Sequence, residues 1–120
     1  MKHSELPILD AELFSVFCEL MGDIAPSVLT QHLSVADGYI QTIYGAFEQE
    51  DLKRISEAAH PLKSSSQQIG ALKIAALAME LEGFSGDIAQ IKSLIEQAEQ
   101  AHNEACLTIK EQLKKMEKTP

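Results

Sequence analysis

Apolar residues recur at intervals of three and four along almost the whole chain, and no run of strict alternation offers a strand. A chain patterned this way can bury its apolar stripes only by packing helix on helix. Asp10 is positioned to cap a short helix carrying Leu13, Phe17, Leu20 and Met21, which Gly22 can end. Asp23 is positioned to cap a long second helix, with Pro26 in the first turn, where its missing N–H does little harm. Leu29, Leu33, Ala36, Ile40, Ile43 and Phe47 line one side of that helix. After the polar break Glu48-Gln49-Glu50, Asp51 can cap a third helix with the seam Leu52, Ile55, Ala59, Leu62, Ser66 and Ile69, which Gly70 ends.

Residues 71–82 read as a fourth helix, apolar on more than one face through Leu72, Ile74, Ala75, Ala76, Leu77, Met79 and Leu81, and therefore heavily buried. Gly83-Phe84-Ser85-Gly86 is the turn after it. The last helix carries Ile88, Ile91, Ile95, Ala98, Ala105, Ile109, Leu113 and Met116, and its lysine-rich tail suits the negative end of the helix dipole. Short turns imply antiparallel neighbours. The expected fold is all-α: an antiparallel up-down four-helix bundle over about residues 24–116, with a short additional N-terminal helix at about 10–21 packed as a lid.

At 120 residues the chain is one domain, with room for a single core. The net charge of −8 argues against nucleic acid, whose phosphates are bound by Lys and Arg. The N-terminal MKHSELPILD lacks the apolar run of a signal peptide, and no segment reads as the ~20 apolar residues of a membrane span, so a cytoplasmic protein without membrane contact is expected. Cys18 and Cys106 lie far apart in helical patterns and read as small buried thiols rather than a disulfide. A bundle that closes its own core is expected to be a monomer.

The third helix also carries the chemistry. Opposite its seam lie Lys53, Ser56, Glu57, His60, Lys63, Ser64 and Gln67, so His60 is predicted to face solvent, with Lys63 and Ser64 one turn further on. An imidazole, whose reference pKa is about 6.5, is a good nucleophile near neutral pH. A phosphoryl group placed on it would carry negative charge that Lys63 can stabilise, and the small Ser64 would let an attacking partner come close. From residue 52 to residue 79 four cations (Lys53, Arg54, Lys63 and Lys73) meet one anion (Glu57), a positive patch in an acidic chain, which suits an anionic target.

The stretch AHPLKSSSQQIGALKIAALAMELE resembles the histidine-containing phosphotransfer (HPt) domains, whose signature is His-x-x-Lys, small residues after it, and Gly ten positions beyond the His. His60, Lys63, Ser64-Ser65-Ser66 and Gly70 match it, and Glu82 falls where the family has a polar Glu or Gln near the histidine. The resemblance implies that His60 accepts a phosphoryl group from a receiver-domain aspartate or a hybrid sensor kinase and passes it to the aspartate of another response regulator. It implies no kinase activity and no cofactor bound by this chain, with Mg²⁺ on the receiver partner. Lys63 would stabilise the phosphoryl group, and Ser64, Ser65, Gln67, Glu57, Glu82, Gly70 and Lys73 are candidate binding residues. Ser66 reads as a small core contact, and Gln67, Gln68 and Lys73 equally suit a solvated helix surface.

Two residues depart from the family pattern. Ser64 replaces the commoner Gly, narrowing the approach to the imidazole. Pro61 removes the helical bond to the Glu57 carbonyl, at about 3 kcal/mol if unrelieved, and predicts a kink that frees that carbonyl for a water or for the His60 ring N–H. The competing class is a helical adaptor or inhibitor that binds a kinase or receiver without carrying phosphate; it would tolerate His60→Ala. A metal site on His3, His32 and His102 lacks the Glu-x-x-His pairs of a di-iron bundle, so no metal is expected. A sensor-kinase dimerisation helix would need an acidic residue where Pro61 stands.

Overall fold

The computed structural model describes residues 5–117, and within them every regular element is helical. Helix α1 spans Ala11–Met21, and Asp10 caps it as expected, its carboxylate accepting from the Leu13 N–H at 2.9 Å. Gly22, at φ 58°, ends it. Of the expected apolar positions Phe17 is buried and Met21 packs against the core, but α1 buries Phe14 where Leu13 was expected, and Leu13 is exposed and Leu20 is 77% exposed.

Asp23 caps nothing. Gly22–Ile24 form a 3-10 turn, and α2 (Ala25–Glu48) starts with Ile24 already in helical geometry and without a side-chain cap. A capping carboxylate works from an extended residue at the helix entrance, and this chain enters α2 without passing through one. Pro26 does sit in the first turn. Leu29, Ala36, Ile40, Ile43 and Ala46 are buried on α2, with Leu33 and Phe47 packed at the margin of the core.

Helix α3 (Leu52–Ile69) is capped by Asp51, whose carboxylate accepts from the Arg54 N–H at 3.1 Å, and continues through Pro61 without interruption. Its expected seam is buried, apart from half-buried Leu52. Ser66 Oγ lies in the core with no hydrogen-bond partner among the described residues. Gly70 ends α3 at φ 86° and serves a second purpose that periodicity does not reveal. The Asp10 N–H donates to its carbonyl at 2.8 Å, and a Cβ there would lie 3.0 Å from Leu13 Cβ and 3.1 Å from the Asp10 carbonyl oxygen.

Helix α4 (Leu72–Glu82) buries Ile74, Ala75, Leu77, Ala78 and Leu81, although Met79, expected among the apolar positions, is exposed. Helix α5 (Ile88–Glu117) buries Ile91, Ile95, Ala98, Ala101, His102, Ala105 and Ile109, with Lys114 and Lys115 in its last turn. Each of α2 and α4 packs on both α3 and α5, closing a four-helix ring, and α1 packs on α2 and α3. Buried alanines on all four bundle helices leave room for the backbones to approach closely. The antiparallel sense of α2 and α5 is visible in their cross-links: Tyr44 donates to Glu99 at 2.9 Å, while the earlier Asp37 lies near the later His102.

The expectation about apolar length needs correction. The stretch Ala11–Glu48 contains an 18-residue window of mean hydropathy 1.4, long and apolar enough to cross a membrane by length and composition alone. The Gly22–Ile24 turn divides that stretch, and the apolar stripe of α2 faces the bundle core. Cys18 and Cys106 are free and half-buried, and burial pushes both thiols up.

Candidate functional site

The α3–α4 hairpin turns at Gly70 and Ala71, so the end of α4 lies against the middle of α3. That places Glu82, the last residue of α4, opposite the outer stripe of α3. His60 Nδ1 lies 2.5 Å from Glu82 Oε2, and Lys63 Nζ donates to Glu82 Oε1 at 2.6 Å. One carboxylate thus holds both residues of the His-x-x-Lys pair, each by its own oxygen.

Burial grades the three. The His60 side chain is 64% exposed, whereas Lys63 and Glu82 are only 22% and 26% exposed. The imidazole stands out to solvent and its two neighbours stay at its base. Lys63 first, then His60, holds the Glu82 carboxyl below the ordinary carboxylate range, so it is ionised near neutrality. An ionised carboxylate only accepts hydrogen bonds, so the proton between it and the ring belongs to Nδ1. In the neutral imidazole this leaves the lone pair on Nε2, the nitrogen on the far edge of the ring. The Nδ1 proton goes to Glu82 and not to the Glu57 carbonyl, which corrects the expectation drawn from Pro61.

The serines turn away from the imidazole. Ser64 Oγ donates back to the His60 carbonyl at 3.4 Å and Ser65 Oγ to the Leu62 carbonyl at 3.3 Å, so neither hydroxyl projects toward the ring. Glu57 and Gln67 are exposed on the same helix, about one turn before and two turns after His60. Gly70 and Lys73 are not brought to this cluster. Gly70 lies ten residues along α3, about 15 Å at the helical rise of 1.5 Å per residue, and Lys73 lies in the first turn of α4 with its N–H donating to the Pro7 carbonyl at 3.1 Å.

One residue of the site was placed on the right stripe but given no task by sequence reasoning. Ser56, one turn before His60, donates its hydroxyl to the backbone carbonyl of Glu82 at 2.7 Å. Ser56, His60 and Lys63 therefore form one stripe of α3 that converges on a single residue of α4.

The other histidines sit elsewhere. His102 on α5 is buried at 2% exposure, with Nε2 3.8 Å from Asp37 Oδ1 and 3.5 Å from Cys106 Sγ. His32 on α2 is pushed down to about 4 by burial and by the charge of His102. No group of three or more His, Cys, Asp or Glu side chains among the described residues could hold a metal ion, and His3 lies outside those residues.

Comparison with known proteins follows the same line. The Hpt domain family model matches residues 27–118. The crystal structure of histidine-containing phosphotransfer protein B (HptB) from Pseudomonas aeruginosa PAO1 superposes with a TM-score of 0.82 at 23% sequence identity, covering 91% of this chain and 96% of that one. A comparison with curated proteins returns no match. The likeness to HptB establishes the shared helical-bundle fold, and the family match spans three of the four bundle helices in full and most of α2. The chain belongs to the Hpt domain family, the histidine phosphotransfer modules of phosphorelay signalling.

Proposed function

We propose that His60 is the phosphoacceptor of a phosphorelay, taking a phosphoryl group from a receiver-domain aspartate, or from a hybrid sensor kinase, and passing it to the aspartate of a response regulator. The observation that carries this reading is the double grip of Glu82, which fixes the proton of His60 on Nδ1 and keeps Lys63 beside the ring.

The exposed Nε2 lone pair attacks the phosphorus of the partner's aspartyl phosphate. The N–P bond forms as the bond from phosphorus to the aspartate oxygen breaks, and the aspartate leaves as a carboxylate. The ring becomes cationic while Nδ1 keeps its proton, and the Glu82 carboxylate is already in place to stabilise that charge. Lys63 is within one helical turn of the ring and can share its ammonium between Glu82 and the phosphoryl oxygens. Return to an aspartate is the same path in reverse. The Mg²⁺ that neutralises the transferring group would sit on the receiver domain, and this chain would act without a kinase activity of its own. We take the working species to be a cytoplasmic monomer, since the bundle closes its own core.

The test is transfer from a phosphorylated receiver domain. The wild-type chain is expected to acquire an acid-labile, base-stable label, and His60→Gln to acquire none. No label on the wild type across several receivers, with receiver binding intact, would replace this reading with that of an adaptor that carries no phosphate.

A further inference from the structure

We propose that Ser56 is a positioning residue for phosphoryl transfer: its hydroxyl, by holding the backbone carbonyl of Glu82, sets the carboxylate that fixes the tautomer of His60. The proposal deepens the reading of His60 as phosphoacceptor and rests on it for its kinetic half.

The last carbonyls of a helix have no amide partner within it. At the end of α4 the chain beyond supplies two: the Gly83 N–H donates to the Met79 carbonyl at 3.1 Å and the Phe84 N–H to the Leu81 carbonyl at 3.4 Å. The Glu82 carbonyl takes the Ser56 hydroxyl from the neighbouring helix, at 2.7 Å, the shorter contact. Helix ends are where fraying begins, and Glu82 is the terminal residue of α4. Its carboxylate also lies at the negative end of the helix dipole, an unfavourable place for an anion.

Glu82 is therefore held at two points. The carboxylate end reaches His60 and Lys63, where the imidazole is open to water. Its backbone end is held by Ser56, half-buried between α3 and α4. A free backbone at residue 82 would let the carboxylate follow Lys63 and leave Nδ1 to water. The proton could then sit on either ring nitrogen, and the fraction of molecules presenting an unprotonated Nε2 would fall. The Ser56 hydroxyl is bonded to the Glu82 carbonyl and not to a ring nitrogen, so its hydrogen bond acts on the imidazole through Glu82.

The test combines ring-nitrogen NMR of His60 with transfer kinetics, on the full chain as wild type, Ser56→Ala and Ser56→Thr. The wild type is expected to hold the neutral ring largely as the Nδ1–H tautomer. Ser56→Ala should give a mixture of tautomers and a transfer rate lower by roughly three- to tenfold, the scale of one net hydrogen bond. Ser56→Thr, which retains the hydroxyl, should restore both. A Ser56→Ala chain with wild-type tautomer and rate would overturn the proposal, and so would a Ser56→Thr chain as impaired as the alanine variant, which would assign the effect to packing. The NMR is read on unphosphorylated protein. A wild type that takes no label therefore refutes the phosphoacceptor reading, while an unmoved tautomer refutes the role of Ser56.

Discussion

Replacing Gly70 by alanine tests whether the glycine ten residues after the histidine belongs to the chemistry or to the fold. Its φ of 86° carries a backbone cost for an L-residue of roughly 1–2 kcal/mol. The added Cβ would lie 3.0 Å from Leu13 Cβ, 3.1 Å from the Asp10 carbonyl oxygen and 3.3 Å from the Phe14 amide nitrogen. Two of those atoms are backbone, so α1 would have to shift as a unit, an overpacking cost of about 1–3 kcal/mol. Gly70→Ala is therefore expected to lose about 2–5 kcal/mol in urea unfolding, a large part of a typical domain's stability. Gly70→Asn separates the two causes, because asparagine tolerates the left-handed region but still brings a Cβ; it should lose about 1–3 kcal/mol. Amide exchange should rise through α1 in both variants, while the chains that remain folded should accept phosphate at His60 at the wild-type rate. An asparagine variant as stable as wild type, with α1 still protected, would refute the steric part of the reasoning; a folded variant unable to accept phosphate would return Gly70 to the site.

Four further expectations concern Glu82, His32 and Asp51. Glu82→Ala should slow phosphoryl transfer more than Glu82→Gln, since glutamine can still accept from one of His60 and Lys63; equal rates in both variants and wild type would remove Glu82 from the mechanism. Because its folded pKa is depressed by Lys63 and then His60, the Glu82 contribution to stability is present above the ordinary value of 4.5 and is lost only as pH falls through the lower folded value, which NMR titration of its carboxyl carbon would follow. His32, lowered from 6.5 to about 4 by burial and by His102, works the same way: the unfolded chain binds the proton first, so stability is full above about pH 6.5 and falls toward pH 4, by up to about 3 kcal/mol. The charges of Asp37 and Glu99 partly offset the effect of burial on His102, and urea midpoints at pH 7 and pH 4.5 should differ less in His32→Gln than in wild type. Asp51→Ala, which leaves the Arg54 N–H at the head of α3 without its partner, should cost about 1 kcal/mol by urea unfolding, and an unchanged midpoint would count against that cap.

Periodicity and punctuation gave the number, order and approximate limits of the helices because each relies on local physics: an apolar stripe, a capping carboxylate, a glycine stop. They placed Phe17 and Met21 on the inner side of α1 but wrongly put Leu13 and Leu20 with them, because Leu13, Phe14, Val16, Phe17, Leu20 and Met21 cover two adjacent sides of an 11-residue helix, and only the surface of α2 and α3 decides which is buried. Asp23 misled for a similar reason, as an acid before a proline resembles a cap until the turn geometry is known. In the site, His60 and Lys63 were legible from spacing on one helix. Glu82 needed the family resemblance, and the bond from Ser56 ends on a backbone carbonyl, an acceptor that every residue possesses and no sequence pattern marks.

The hairpin register shows what more the sequence could have yielded. With the turn at Gly70 and Ala71, His60 stands ten residues before the one and Glu82 eleven after the other, so antiparallel packing alone brings them level. The same register bears on Pro61, whose missing N–H costs about 3 kcal/mol if nothing compensates. On the inner side of that turn Ile55 and Leu62 are fully buried, each contributing about 1.5–3 kcal/mol, and Ala59 closes the gap between them. On the outer side Ser56, His60 and Lys63 are tied across to Glu82. The helix continues through the proline because both of its sides are held by other elements, and those attachments outweigh the loss of one bond. The ties that carry α3 past Pro61 are thus the ties that orient His60, so the stability of this turn and the placement of the imidazole depend on the same α3–α4 contact.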